Sequence, residues 1–172
     1  IMSKKISWVN FKDDVMTNIA STLRGNARSA IKRALEINPN YINVLNNFAN
    51  LKKDLDKVDE AIKYYEKAVN IDSNILITNY NLSSMYIQKG EYTKAINYLQ
   101  KTLKINPKFT TADRALSLIT KYQKDSKHFQ EMKEKKLNLK LEEAQMIELN
   151  FALGKAYEDI KDYKKAFLHI KE

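Results

Sequence analysis

Three tripeptides recur at a fixed distance: Ile37-Asn38-Pro39, Ile71-Asp72-Ser73 and Ile105-Asn106-Pro107, each 34 residues after the last. Ala27, Ala61 and Ala95 keep the same spacing, and so do Ala34, Ala68 and Thr102. Such a period marks one supersecondary unit copied in series. A unit this small cannot bury its own apolar face, so neighbours must stack. Composition then selects the kind of unit. With 3 Gly and 2 Pro in 172 residues, the chain lacks the turns of an all-β fold and suits long helices joined by short turns.

Counting the period from Trp8, Ile42, Leu76 and Thr110 puts Val15, Ala49, Ser83 and Ser117 at its eighth place. Ala27, Ala61 and Ala95 fall at the twentieth, Ile31, Tyr65 and Leu99 at the twenty-fourth, and Pro39, Ser73 and Pro107 at the thirty-second. In these places, and in the runs from Asp59 to Ala68 and from Gly90 to Ile96, the chain resembles the tetratricopeptide repeat family. The resemblance implies an all-α fold: a right-handed α-solenoid of about five stacked antiparallel helix hairpins. The expected units within a single solenoid over 1–172 are about 8–41, 42–75, 76–109, 110–146 and 147–172.

The small residues have a physical reason. Two antiparallel helices cross closely only where the side chains at the crossing are small, and places 8 and 20 form that crossing. Place 27 lets the next hairpin approach. Pro beyond the second helix ends it, because Pro has no N–H to give the preceding turn.

The fourth unit departs from the pattern. Phe129 and Lys136 stand where small residues belong, and the stretch from Lys121 to Lys140 holds seven Lys and three acidic residues. Phe129, Met132 and Leu137 leave a weak helical stripe, which predicts a short, irregular second helix. The pattern resumes three residues out of register at Ile147, with Gly154 at place 8 and Ala166 at place 20. The chain then stops inside a second helix without the polar cap a solenoid needs. More protein is therefore expected after Glu172, and the uncapped end is expected to self-associate.

Catalytic sets are absent from the sequence. It has no Cys, which excludes thiolate chemistry and disulfides and makes a reducing cytoplasm the expected location. His128 and His169 belong to no metal-ligand spacing; the first reads as a solvated side chain and the second as surface or partial packing. Gly25, Gly90 and Gly154 are isolated, each placed at a turn or a crossing, so no phosphate loop exists. The pairs Asp13-Asp14 and Glu142-Glu143 point apart on a helix. Tyr64, Tyr65, Tyr86, Tyr92, Tyr98 and Tyr157 fall mostly at packing places. No cofactor or metal is expected, and the chain is not expected to be an enzyme. No apolar stretch is long enough to span a membrane. The net charge is +9, but 26 of the 30 basic residues are Lys and 4 are Arg, the residue that reads bases and phosphates in bidentate fashion. Specific nucleic-acid binding is not expected.

What the resemblance implies instead is capture of a protein or extended peptide along the concave side, lined by the first helix of each hairpin. The family's groove places map here onto Asn43, Asn46, Asn47 and Asn50, onto Tyr80, Asn81 and Ser84, and onto Lys12 and Arg114. Asn47 and Asn81, 34 apart at place 6, each carry a donor and an acceptor and can hold a backbone amide. The pair resembles two rungs of the asparagine ladder of the O-linked N-acetylglucosamine transferase superhelix. The carboxylate clamp for chaperone tails is not completed: its places hold Lys12, Met16, Asn47, Ile77 and Asn81, or, one repeat on, Asn46, Asn50, Asn81, Thr111 and Ala115. The last run, Leu149 to Asp159 with Asp162 to Phe167, is similar to the final repeat preceding a sulfotransferase domain in bacterial proteins. That resemblance implies an alternative, a substrate-recruiting arm of a larger transferase.

Overall fold

The structure is a computed structural model that describes residues 25, 26 and 29–171. The first helix expected from Trp8, with Val15, Met16, Lys12 and the pair Asp13-Asp14, lies outside the described residues, as does Ala27. The described chain is helical throughout, with no strand among the described residues. Helix α1 runs over 29–37, α2 over Ile42–Asp54, α3 over Val58–Ile71, α4 over Leu76–Gln88 and α5 over Tyr92–Ile105. Then come α6 (Thr110–Ile119), α7 (Lys127–Asn138), α8 (Glu143–Asp159) and α9 (Tyr163–Lys171).

Helices α2 and α3 pair, as do α4 and α5, and each pair rests on the next through α3 with α4 and α5 with α6. Small residues sit at the crossings. Ala49, Ala61, Ser83 and Ala95 are all fully buried. So are Ala68 and Thr102, where the following hairpin approaches. Between α8 and α9 the same role falls to Gly154. A Cβ there would stand 2.9 Å from Ile170 Cγ1 and 3.4 Å from the Ala166 carbonyl oxygen. Tyr65, Leu82, Met85 and Tyr86 fill the core between the first two pairs. Leu99, Ala112 and Leu116 continue that core, and Tyr122, Phe129, Met132, Leu149 and Leu153 form a separate one at the far end.

The recurring tripeptide proves to be a turn. The side-chain oxygens of Asn38, Asp72 and Asn106 accept the backbone N–H two residues on, at 3.0, 2.8 and 2.9 Å. Each closes an Asx turn that carries the chain from one hairpin into the next. A second turn recurs inside the hairpins. Asp56, Gly90 and Lys161 take positive φ of 55°, 77° and 65°. In each case the following N–H bonds a carbonyl five residues back: Lys57 to Lys52, Glu91 to Tyr86, Asp162 to Tyr157, all at 2.9 Å. This is a helix C-terminus closed by a left-handed residue, a place that favours glycine. Only one of the three is glycine.

The segment around 110–140 differs from the expected short, irregular second helix. Helix α7 is continuous over 12 residues, while α6 has only 10 and lacks the left-handed turn. The cause is Phe129, which with Met132 is fully packed between α7 and α8. A ring where alanine would allow contact holds α7 away from α6. Helix α8 fills the vacated place and packs on α6 nearly as extensively as α2 packs on α3. Helix α8 also starts at Glu143, four residues ahead of Ile147, because Glu142 and Gln145 form a capping box there. Gly25 is helical rather than at a turn.

Candidate peptide-binding groove

Helices α2, α4, α6 and α8 are tied to one another by side chains along one layer. Thr78 Oγ1 donates to Asn46 Oδ1 at 2.9 Å, and Gln88 Nε2 to Asp56 Oδ1 at 2.9 Å, which join α4 to α2 and its turn. Asn50 Oδ1 is a hub: it accepts from the Tyr65 hydroxyl on α3 and from Asn81 Nδ2 on α4, the latter at 3.4 Å. Burial, with the Asp54 charge adding to it, pushes the Tyr65 phenol up to about 12, so it stays a neutral donor.

These bonds separate the expected groove amides into two kinds. Asn46, Asn50 and Asn81 are half-buried and engaged within the protein. Asn43 and Asn47 are exposed and make no side-chain hydrogen bond among the described residues. Asn47 and Asn81 are therefore not equivalent rungs. Ser84 is half-buried and donates back to the Tyr80 carbonyl at 3.3 Å. Tyr80 packs edge-on against Phe109 at 5.1 Å; burial and the Glu148 charge raise its pKa. Lys12 lies outside the described residues.

Toward α8 the layer changes character. Arg114 Nη1 reaches both Glu148 oxygens at 3.2 Å, and its guanidinium lies over the Phe151 ring at 4.4 Å. Leu118 and Ile77 are exposed here, at 58% and 54%. Sequence reasoning missed Phe151, Glu148 and Leu118. The signal for Phe151 was present, since it occupies the fifth place of the last unit as Arg114 does of the one before. At the end of the layer, Lys155 and Lys121 hold Asp159 at 2.5 and 2.7 Å, and the Tyr122 N–H donates to it at 3.1 Å. Burial works to raise the Asp159 pKa, but these three donors together hold it below the usual carboxylate range.

His128 is not a solvated side chain. Its Nε2 stands 3.0 Å from Asp113 Oδ1 and its Nδ1 2.8 Å from the Tyr122 hydroxyl. Lys135 Nζ donates to Asp113 Oδ2 at 2.5 Å, and Asp113 is fully buried. This cluster closes the gap that Phe129 opens between α6 and α7. Burial raises the Tyr122 phenol pKa, so its hydroxyl stays neutral beside the imidazole. His169 is partly packed, stacked on Tyr157 at 5.2 Å. Of the tyrosines expected to pack, Tyr92 is the exception at 52% exposed. No His, Cys, Asp and Glu grouping among the described residues could hold a metal ion. No helix among them is long and apolar enough to cross a membrane.

Residues 40–108 match the family model "Tetratricopeptide repeat". These residues are tetratricopeptide repeats. The chain is 27% identical over 105 residues to "Tetratricopeptide repeat protein 17" of Danio rerio, covering 58% of this chain and 9% of that protein. It is 35% identical over 83 residues to "Uncharacterized protein ycf37" of Pyropia yezoensis, covering 47% of each. The chain thus spans a small part of the first relative and about half of the second. The fold also recurs in solved structures. "Crystal structure of MamA" superposes with a TM-score of 0.66 at 24% identity, over 88% of this chain and 89% of that one. "MamA RS-1 ArsTM double mutant" gives 0.66 at 19% identity, over 92% and 90%. At these identities the likeness shows an all-α solenoid and nothing about ligands. Stacked repeats of this kind present extended concave surfaces.

Proposed function

We infer that the chain is a non-catalytic scaffold that holds an extended peptide along α2, α4, α6 and α8. The observation carrying this reading is the division of the groove amides. Asn50 fixes Asn81 and Tyr65 in place, while Asn43 and Asn47 are exposed and make no side-chain hydrogen bond among the described residues. Fixed amides beside free ones suit backbone recognition, with little cost in ordering the site on binding. The exposed Leu118 and the Phe151 ring offer an apolar contact one hairpin further on. The test is a peptide-binding assay on Asn43→Ala with Asn47→Ala. Weaker binding at unchanged helicity supports the groove, and unchanged affinity removes it.

The exposed Tyr163, Phe167 and Ile170 of α9, at 64%, 66% and 69%, support self-association of the isolated chain. Sedimentation across a concentration series tests it; a monomer throughout ends it. The alternative role, a recruiting arm ahead of a sulfotransferase-like domain, rests on the resemblance of the last repeat. The gene sequence beyond Glu172 decides that reading.

A further inference from the structure

Charge is divided between the two helix layers. Helices α5 and α9 hold six lysines and no acidic residue, and α7 holds four lysines against Glu131 and Glu134. The groove helices α2, α4, α6 and α8 together hold four basic and six acidic residues. Among the described helices the excess of positive charge therefore sits on α5, α7 and α9, away from the groove, whereas α3 of the same layer holds two lysines against three acidic residues. A cavity of about 670 Å³ is walled by Gln100 and Lys104 of α5 and by Lys127 and Glu131 of α7, and Lys136 of α7 meets His169 of α9.

The buried side chains fix which lysines point outward. In α5 these are Ala95, Leu99 and Thr102, which leaves Lys101 and Lys104 on the opposite face. In α9 Ala166 is buried, and Lys164, Leu168 and Lys171 fall opposite it at helical spacing. In α7 the outer face carries Lys127, which pairs with the exposed Glu131 at 3.4 Å, together with Glu134 and Leu137, with Leu137 83% exposed and Leu168 of α9 51%. Lysines interleaved with exposed leucines on one helix layer fit an interface that is anionic at its surface and apolar just beneath. Nucleic acid fits less well. Its bidentate recognition favours arginine forks, and α5, α7 and α9 contain no Arg.

We propose that the layer formed by α5, α7 and α9 docks on an anionic lipid bilayer surface, without crossing it, and leaves the groove open on the other side. The ammonium groups would lie among the lipid phosphates and carboxylates, with Leu137 and Leu168 at the acyl boundary.

The test is co-sedimentation of the intact chain with vesicles. Binding is expected to phosphatidylcholine vesicles containing about a third phosphatidylserine, with none to phosphatidylcholine alone and loss as salt rises. The variant Lys101→Glu, Lys104→Glu, Lys164→Glu, Lys171→Glu is expected to lose about tenfold or more in vesicle binding while its helicity holds. Lys63→Glu with Lys67→Glu, on α3, is the control and is expected to bind much as the parent does. The proposal is overturned by no binding to the anionic vesicles. It is equally overturned if the α3 control loses as much, or if duplex DNA at the same ionic strength binds more tightly than the vesicles.

Discussion

The Arg114 guanidinium lies 4.4 Å from the centre of the Phe151 ring, 37 residues along the chain. Its ion-pair partner Glu148 is 34 residues along. The two spacings differ by the three residues inserted between the regular and the last hairpin. One arginine thus reaches the ring at its own equivalent place and the carboxylate just before it. A double-mutant cycle of Arg114→Ala and Phe151→Ala should give a coupling of about 0.5–1 kcal/mol, the range of a partly exposed cation–π pair. Strict additivity in chemical denaturation would show that the stack contributes nothing.

Lys161 holds φ 65° at a turn where Gly90 holds 77°. A side chain in that region costs on the order of 1 kcal/mol. Lys161→Gly should therefore raise the stability, by about 0.5 kcal/mol at most after the entropy that glycine adds to the unfolded chain. Asp56→Gly should gain less, since Asp tolerates the left-handed region better. If Lys161→Gly lowers stability, the turn does not carry that strain.

Asp113 and Lys135 bury opposite charges at 2.5 Å between α6 and α7. Removing one partner leaves the other charge buried. Asp113→Ala should cost about 3–5 kcal/mol, and Asp113→Leu with Lys135→Met markedly less. A double variant that loses as much as the two single variants added together would show that the pair is not coupled.

Tyr65 is fully buried, and its phenol is raised from 10 to about 12. The fold favours the neutral form, so the contribution is complete below pH 10 and fades as pH rises from there through about 12. Stability followed by circular dichroism should fall across that window, and Tyr65→Phe should flatten the fall. An unchanged slope in Tyr65→Phe would assign the alkaline loss to other groups, with Tyr86 and Tyr122 the next to examine.

The repeat was legible in the sequence because close helix crossings admit few residue types. Ala49, Ala61, Ser83, Ala95 and Gly154 could be placed from spacing alone, and all are buried. The tripeptide at Asn38, Asp72 and Asn106 was visible as a period but not as an Asx turn, since the bond depends on backbone direction. The left-handed turn at Asp56 and Lys161 was hidden because neither is glycine. The segment from Lys121 to Lys140 misled most. A Lys-rich stretch reads as solvated surface, yet Lys135 and His128 turn inward to Asp113 across the gap that Phe129 opens. Groove amides were found by place, but which of them are free depends on cross-helix bonds that no single-sequence spacing reveals.

The central claim is that α2, α4, α6 and α8 hold an extended peptide through Asn43, Asn47 and Phe151. Its most direct test selects peptides from a displayed library against the intact chain. Their affinity is then measured for the parent and for the variant Asn43→Ala, Asn47→Ala, Phe151→Ala. The account predicts a loss of about tenfold or more at unchanged helicity, as expected when central contacts of an interface are truncated. Selected peptides that bind parent and variant equally would contradict it.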